Sequence, residues 1–196
     1  IFAYYVEKFS DINNELIIPF VGKTVQLNST LYVVLLFFIV LGTVNGANFT
    51  DGLDGLASSV TVLIATFFAV VSIGIGSDAA PVTCAAVGSL LGFLVYNVYP
   101  AKVFMGDTGS FVLGTGYAAA VLISDIPYFG VLALGVPIAS VVVSLLHRAN
   151  IIKLPVEPLH HTLNHYGMSE RKIVLSYWGV TVLLCVIGIL AQLYIF

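Results

Sequence analysis

Six stretches of this chain run apolar for long enough to cross a bilayer, and the polar residues collect between them. A transmembrane helix needs about 20 mostly apolar residues. The stretches lie at roughly 30–47, 55–76, 81–99, 109–125, 127–147 and 173–195. Residues 1–6 read as the end of an earlier span. Residues 10–29 differ: Leu16-Ile17-Ile18-Pro19-Phe20-Val21-Gly22-Lys23 is short and carries a Pro and a Gly, as a small extramembrane hairpin would. Turns at Gly76-Ser77-Asp78 and Ser124-Asp125-Ile126-Pro127 separate the later spans. The expected fold is all-α: one polytopic transmembrane domain over 1–196, with about six clear spans, a partial first one and a candidate hairpin at 10–29.

Composition agrees with this class. The chain is 59 % hydrophobic and 9 % charged, and its mean hydropathy is +1.06. Those values exclude a soluble domain and a disordered chain. The net charge of −3 comes with no basic stripe, so a nucleic-acid partner is not expected. Cys84 and Cys185 both lie in apolar runs and read as small hydrophobes. The chain opens on Ile1 and shows no signal peptide, which leads us to expect a piece of a longer protein.

Charge also sets the orientation. Alternating the connections puts Lys102, Arg148, Lys153, Arg171 and Lys172 on one side and Lys8 and Lys23 on the other. The side richer in Lys and Arg is the cytoplasmic one. The cytoplasmic loops are then 45–55, 99–109 and 148–172, and residues 10–29 are periplasmic. Those loops hold Asp51, Asp54, Asp107, Glu157, Glu170 and every histidine except His147, which borders the third. Ionisable groups gathered at a membrane are a functional-site hypothesis by default. A transporter would place polar groups deep in its spans. Spans 55–76 and 127–147 hold little beyond Ser and Thr until their cytoplasmic ends, and no internal repeat is evident.

Three motifs carry the chemistry. In Asn45-Gly-Ala-Asn48-Phe-Thr-Asp51-Gly-Leu-Asp54-Gly, four amide or carboxylate groups recur every three residues. On a helix they fall along one slowly rotating stripe. Gly52 and Gly55 allow close approach of backbone or ligand. Such a cluster suits ribose hydroxyls, a uracil edge or a hydrated Mg²⁺; the bland alternatives are a polar helix seam or an N-cap at Thr50 or Asp51. In Lys102-Val-Phe104-Met-Gly-Asp107-Thr108-Gly-Ser110, a carboxylate precedes a new span. Asp107 would cap that helix or act as a hard oxygen ligand for Mg²⁺, and the helix N-terminus favours a diphosphate. Phe104 would stack on a base or sit as an interfacial aromatic, and Asn97 would read a base edge or bond a neighbouring helix.

The third motif is Glu157-Pro-Leu-His160-His161-Thr162-Leu-Asn-His165. Three histidines in six residues raise zinc, but no Cys is near and adjacent histidines are poorly spaced for co-ligation on one helix face. Donors for a phosphate fit better, with His165 a solvated loop residue. Carboxylates, Mg²⁺-type ligands and phosphate donors at a membrane face point to phosphoryl transfer onto a lipid-borne acceptor.

Together the motifs resemble the polyprenyl-phosphate N-acetylhexosamine-1-phosphate transferase superfamily, within it the phospho-N-acetylmuramoyl-pentapeptide transferases. The resemblance runs over nearly the whole chain and corresponds to the C-terminal two-thirds of such an enzyme. It implies that undecaprenyl phosphate attacks UDP-N-acetylmuramoyl-pentapeptide, with Mg²⁺, to give lipid I and UMP in the cytoplasmic (inner) membrane of a bacterium. It also implies a homodimer and binding of the family's nucleoside antibiotics. By motif match Asp107 would be a Mg²⁺ ligand. Asn48 and Asp51 would line the catalytic cleft. Asp54, Asn97 and Phe104 would hold the uridine, with Asn45, Gly52 and Lys102 beside them. His160 and His161 would act near the diphosphate or the lipid phosphate. Two departures stand out: the family's adjacent Asp pair is not in this chain, and Thr162 replaces a third consecutive His. The alternatives are an N-acetylglucosamine-1-phosphate transferase and a non-catalytic nucleotide-binding paralogue.

Overall fold

The computed structural model describes residues 15–17, 24–123 and 127–195. The span end expected at 1–6 lies outside them. The hairpin expected within 10–29 is a two-stranded antiparallel ribbon, β1 (Glu15–Ile17) and β2 (Thr24–Gln26), with Leu16 opposite Val25. Eight helices follow among the described residues: α1 (Ser29–Thr50), α2 (Leu56–Gly74), α3 (Ala80–Asn97), α4 (Gly106–Ile123), α5 (Pro127–Ala133), α6 (Gly135–Arg148), α7 (Leu159–His165) and α8 (Glu170–Ile195). The fold is that of an all-α polytopic membrane protein.

Among the described residues, four helices are long and apolar enough to cross a membrane: α1, α2, α3 and α8 up to Ala191. The helix α2 is the hub, with Leu56, Val60, Ile64, Phe67, Phe68 and Val71 all buried. It packs on α3 and α8, while α1 packs on α4 and α6. The outer faces keep large apolar residues exposed, among them Phe37, Phe38, Val82, Val95 and Val112. In water that would be a liability; against hydrocarbon it is the cheaper arrangement. The interior is instead dotted with Ser and Thr. Thr50 and Thr61 donate to the carbonyls of Gly46 and Ala57 four residues back, which satisfies each hydroxyl without water. Gly114 of α4 lies against α1 so closely that a Cβ there would sit 2.4 Å from the Cα of Val44. Only a residue without a side chain fits at that crossing.

Several expected boundaries need correction. The run 127–147 is not one helix: it breaks at Leu134 (φ −80°, ψ 5°) into α5 and α6. The cause lies in Gly135 and Pro137. Proline has no N–H, and its ring collides with the carbonyl four residues back, so a helix does not continue smoothly through it. Hydropathy alone is blind to that break. The connection placed at 45–55 is also shorter than expected. Asn45 and Asn48 belong to the last two turns of α1, and only residues 51–55 form the turn. Likewise α4 begins at Gly106, and α7 interrupts the stretch 148–172.

Candidate active site

The end of α1, the start of α4 and the short α7 meet at one end of the bundle. Asn48, in the last turn of α1, donates from Nδ2 to Asp107 Oδ1 (3.0 Å) and Ser110 Oγ (3.1 Å) near the start of α4. One amide thus joins two of the three motifs across 59 residues of sequence. Asp51 follows as the C-cap of α1, its N–H bonded to the Asn48 carbonyl. Its carboxyl is held above the ordinary aspartate value, first by burial and then by the charge of Asp107. Asp51 therefore sits within reach of the Asp107 charge, and the two carboxylates share a site. Hard oxygen donors so arranged suit a divalent cation that takes one or two carboxylates and completes its shell with water or phosphate oxygens. No group of three or more His, Cys, Asp or Glu placed to hold a metal occurs among the described residues.

The third motif approaches the end of α1 from α7, with His160 and His161 lining one pocket with Asp51. His160 is fully buried, and neither Nδ1 nor Nε2 has a hydrogen-bond partner. Burial, and secondly the charge of His161, push its pKa down to about 4, so the imidazole is neutral at pH 7. Its ring lies 4.4 Å from that of His161, centroid to centroid. Gly52 makes the approach possible, since a Cβ there would fall 2.1 Å from His160 Nε2. Buried polar atoms are normally paired, and an unpaired imidazole offers one donor and one acceptor to a ligand. Thr162 faces away, its hydroxyl donating to the Val156 carbonyl. The residue that departs from a triple-histidine run is thus not among those lining the pocket of Asp51 and His160.

A pocket of about 320 Å³ is lined by Asn48, Asp51, Gly52, His160, His161 and four residues to which sequence reasoning gave no site role: Phe49, Arg148, Glu157 and Pro158. Arg148 ends α6 and pairs with Glu157 at 2.8 Å, and this partner holds the Glu157 carboxyl below its usual range. The guanidinium also lies over the Phe49 ring, 5.4 Å from its centroid. The only sequence signal was a cation at the end of an apolar run. Phe49 and Arg148 also line an apolar groove of about 640 Å³ between α1 and α6, with Phe38, Leu41, Ile138 and Leu145.

The other expected site residues lie elsewhere. Asn45 donates to the Leu41 carbonyl (2.7 Å) and lines the apolar groove. Asp54 accepts from the Ala101 N–H (2.8 Å) and lines a second cavity of about 380 Å³ with Tyr99, Arg171 and Trp178. Asn97 is buried with both side-chain ends engaged: Oδ1 accepts from Ser58 (2.6 Å), and Nδ2 donates to the Val103 carbonyl (2.9 Å). Lys102 and Phe104 lie on the intervening loop, with Phe104 73 % exposed. His165 is exposed at the end of α7.

Comparison with known proteins decides the family. The sequence model of Glycosyl transferase family 4 matches residues 2–125, nearly two-thirds of the chain. The chain belongs to that family. The match takes in the first two motifs. The histidine motif lies beyond it but within the alignment to the phospho-N-acetylmuramoyl-pentapeptide-transferase of Clostridium novyi, which is 41 % identical over 198 residues. That alignment covers 97 % of this chain and 60 % of the relative. A putative enzyme of the same name from Methanothermobacter thermautotrophicus is 56 % identical over 128 residues, covering 65 % of this chain and 36 % of the relative. The enzyme of that name from Caldanaerobacter subterraneus is 38 % identical over 181 residues, 89 % of this chain and 57 % of its own length. The chain thus spans between 36 % and 60 % of the length of these family members.

Proposed function

We propose that this chain carries the catalytic core of a phospho-N-acetylmuramoyl-pentapeptide transferase, moving that group from its UDP conjugate to undecaprenyl phosphate. The observation that carries the reading is the shared wall of Phe49 and Arg148, which line both an apolar groove and a pocket of carboxylates and imidazoles. A polyprenyl chain would lie in the groove with its phosphate at the pocket. A lipid phosphate oxygen attacks the sugar-bearing phosphorus of the nucleotide. The bond from that phosphorus to the bridging oxygen breaks, and UMP leaves with the bond's electrons, giving lipid I.

In this reading Asp107, with Asn48 and Asp51 beside it, would hold Mg²⁺, which when bound neutralises charge on the diphosphate. Asn48 orients Asp107 through its amide. The neutral His160, with His161 beside it, supplies donors to phosphate oxygens and excludes water from the attacking group. The residues 98–105 would receive the uridine, with Phe104 stacked on the base. The site would face the cytoplasm, as the excess of Lys and Arg on that side suggests.

The test is UMP release by the full-length protein in detergent, given undecaprenyl phosphate and Mg²⁺. UDP-N-acetylmuramoyl-pentapeptide is expected to support release. Release only with UDP-N-acetylglucosamine would reassign the donor, and release with neither would remove the reading.

A further inference from the structure

We infer that Arg148 is the headgroup anchor of the lipid acceptor, a role that rests on the functional reading above and deepens it. The residue lines two neighbouring cavities. On one side lies the apolar groove of α1 and α6, on the other the pocket of Asp51, His160 and His161. A ligand with a hydrocarbon tail in the groove and an anionic head reaching the pocket must pass its head group beside this guanidinium. The side chain is 58 % exposed there, so it is open to a ligand.

The geometry fixes the guanidinium and leaves part of it unspent. Nε donates to Glu157 Oε1 and Oε2 (3.0 and 3.4 Å), and Nη2 donates to Oε1 (2.8 Å). Phe49 lies against its face. Of the five N–H donors of an arginine, this bidentate grip uses two. Three remain, on Nη1 and Nη2, already oriented by the carboxylate and the ring. A planar fork of this kind matches phosphate oxygens better than a lysine ammonium does. Glu157 is then the positioning residue, and Arg148 is the group that touches the lipid phosphate.

The bland alternative is that the pair only staples the stretch 149–158 to α6. Exposed ion pairs of that kind contribute little, and a staple makes no distinction between ligands. The two accounts separate experimentally. A staple requires both partners equally, whereas an anchor needs Arg148 far more than Glu157. A staple also acts on any occupant of the groove, whereas an anchor acts only on a phosphate.

The experiment is equilibrium binding of a radiolabelled polyprenyl phosphate, and of the matching polyprenol, to the purified full-length protein. Arg148→Ala is expected to weaken polyprenyl phosphate by about tenfold or more, the scale of a lost hydrogen bond to a charged group. It should leave polyprenol and UDP-sugar binding unchanged. Arg148→Lys should keep part of the affinity, and Glu157→Gln should lose much less than Arg148→Ala. The inference is overturned by equal losses in Arg148→Ala and Glu157→Gln, by equal losses for phosphate and alcohol, or by unchanged binding. It is also overturned if the wild type binds the phosphate no better than the alcohol, or if the UDP-sugar is what Arg148→Ala loses. Because binding needs no turnover, an inactive wild type would remove the functional reading and leave this result to stand by itself.

Discussion

Two polar clusters sit at the same end of this bundle, and they treat their hydrogen bonds in opposite ways. Around Asn97 both side-chain ends are spent inside the protein, on Ser58 and on the Val103 carbonyl, and neighbouring Asp54 accepts from the Ala101 N–H. At His160 the polar ends are left unspent. Both imidazole nitrogens are buried and unpartnered, and the Asp51 carboxyl is half-buried beside the charge of Asp107. A satisfied network holds a loop in place; an unsatisfied one is costly unless a ligand completes it. The contrast separates residues that build the site from residues that would act in it.

The largest effect expected is on turnover. Asp107→Asn should lower UMP release by at least about 10³-fold while leaving the thermal midpoint nearly unchanged, since Asp107 is exposed and Asn can still pair with Asn48. Near-normal Mg²⁺-dependent activity would remove Asp107 from the metal site.

Next comes pH. In the unfolded chain His160 takes up a proton near pH 6.5; folded, its pKa is about 4. The unfolded state therefore binds more protons between those values. Stability should be complete above about pH 6.5 and fall by up to about 3 kcal/mol toward pH 4. Asp51, whose carboxyl is raised, acts in the opposite sense at the acid end of that window. A His160→Phe variant should show a flatter thermal midpoint across this range; an identical slope would place the titrating group elsewhere.

The Asn97 side should fail differently. Asn97→Ala leaves the Ser58 hydroxyl and Val103 carbonyl without their partner, at a cost of about 1–3 kcal/mol, visible as a lower thermal midpoint. Nucleotide affinity lost with stability intact would instead make Asn97 a base-reading residue. The smallest effect belongs to Phe104→Ala, expected to weaken uridine nucleotide binding by about 1–2 kcal/mol through lost stacking. Calorimetry showing unchanged affinity would return Phe104 to an exposed loop aromatic.

The sequence made the bundle legible because apolar length and polar punctuation survive without partners. The spacing of Asn45, Asn48 and Asp51 marked a polar stripe, and Gly52 could be read as a point of close approach, here to His160. What stayed hidden depended on contacts distant in sequence. The engagement of Asn97 needs Ser58, 39 residues away. Arg148 gains its meaning from Phe49 and Glu157, neither of which shares a helix with it. The break at Leu134 was written in Gly135 and Pro137, but an average of hydropathy erases it.

The central claim is that the α1–α6 groove and the His160 pocket form one bipartite site. The most direct measurement is an electron cryomicroscopy map of the full-length protein with undecaprenyl phosphate and a UDP-sugar bound. The account expects lipid density between α1 and α6 with its phosphate beside Arg148 and His160. Lipid seated instead in the cavity of Tyr99, Arg171 and Trp178, with the α1–α6 groove empty, would contradict it.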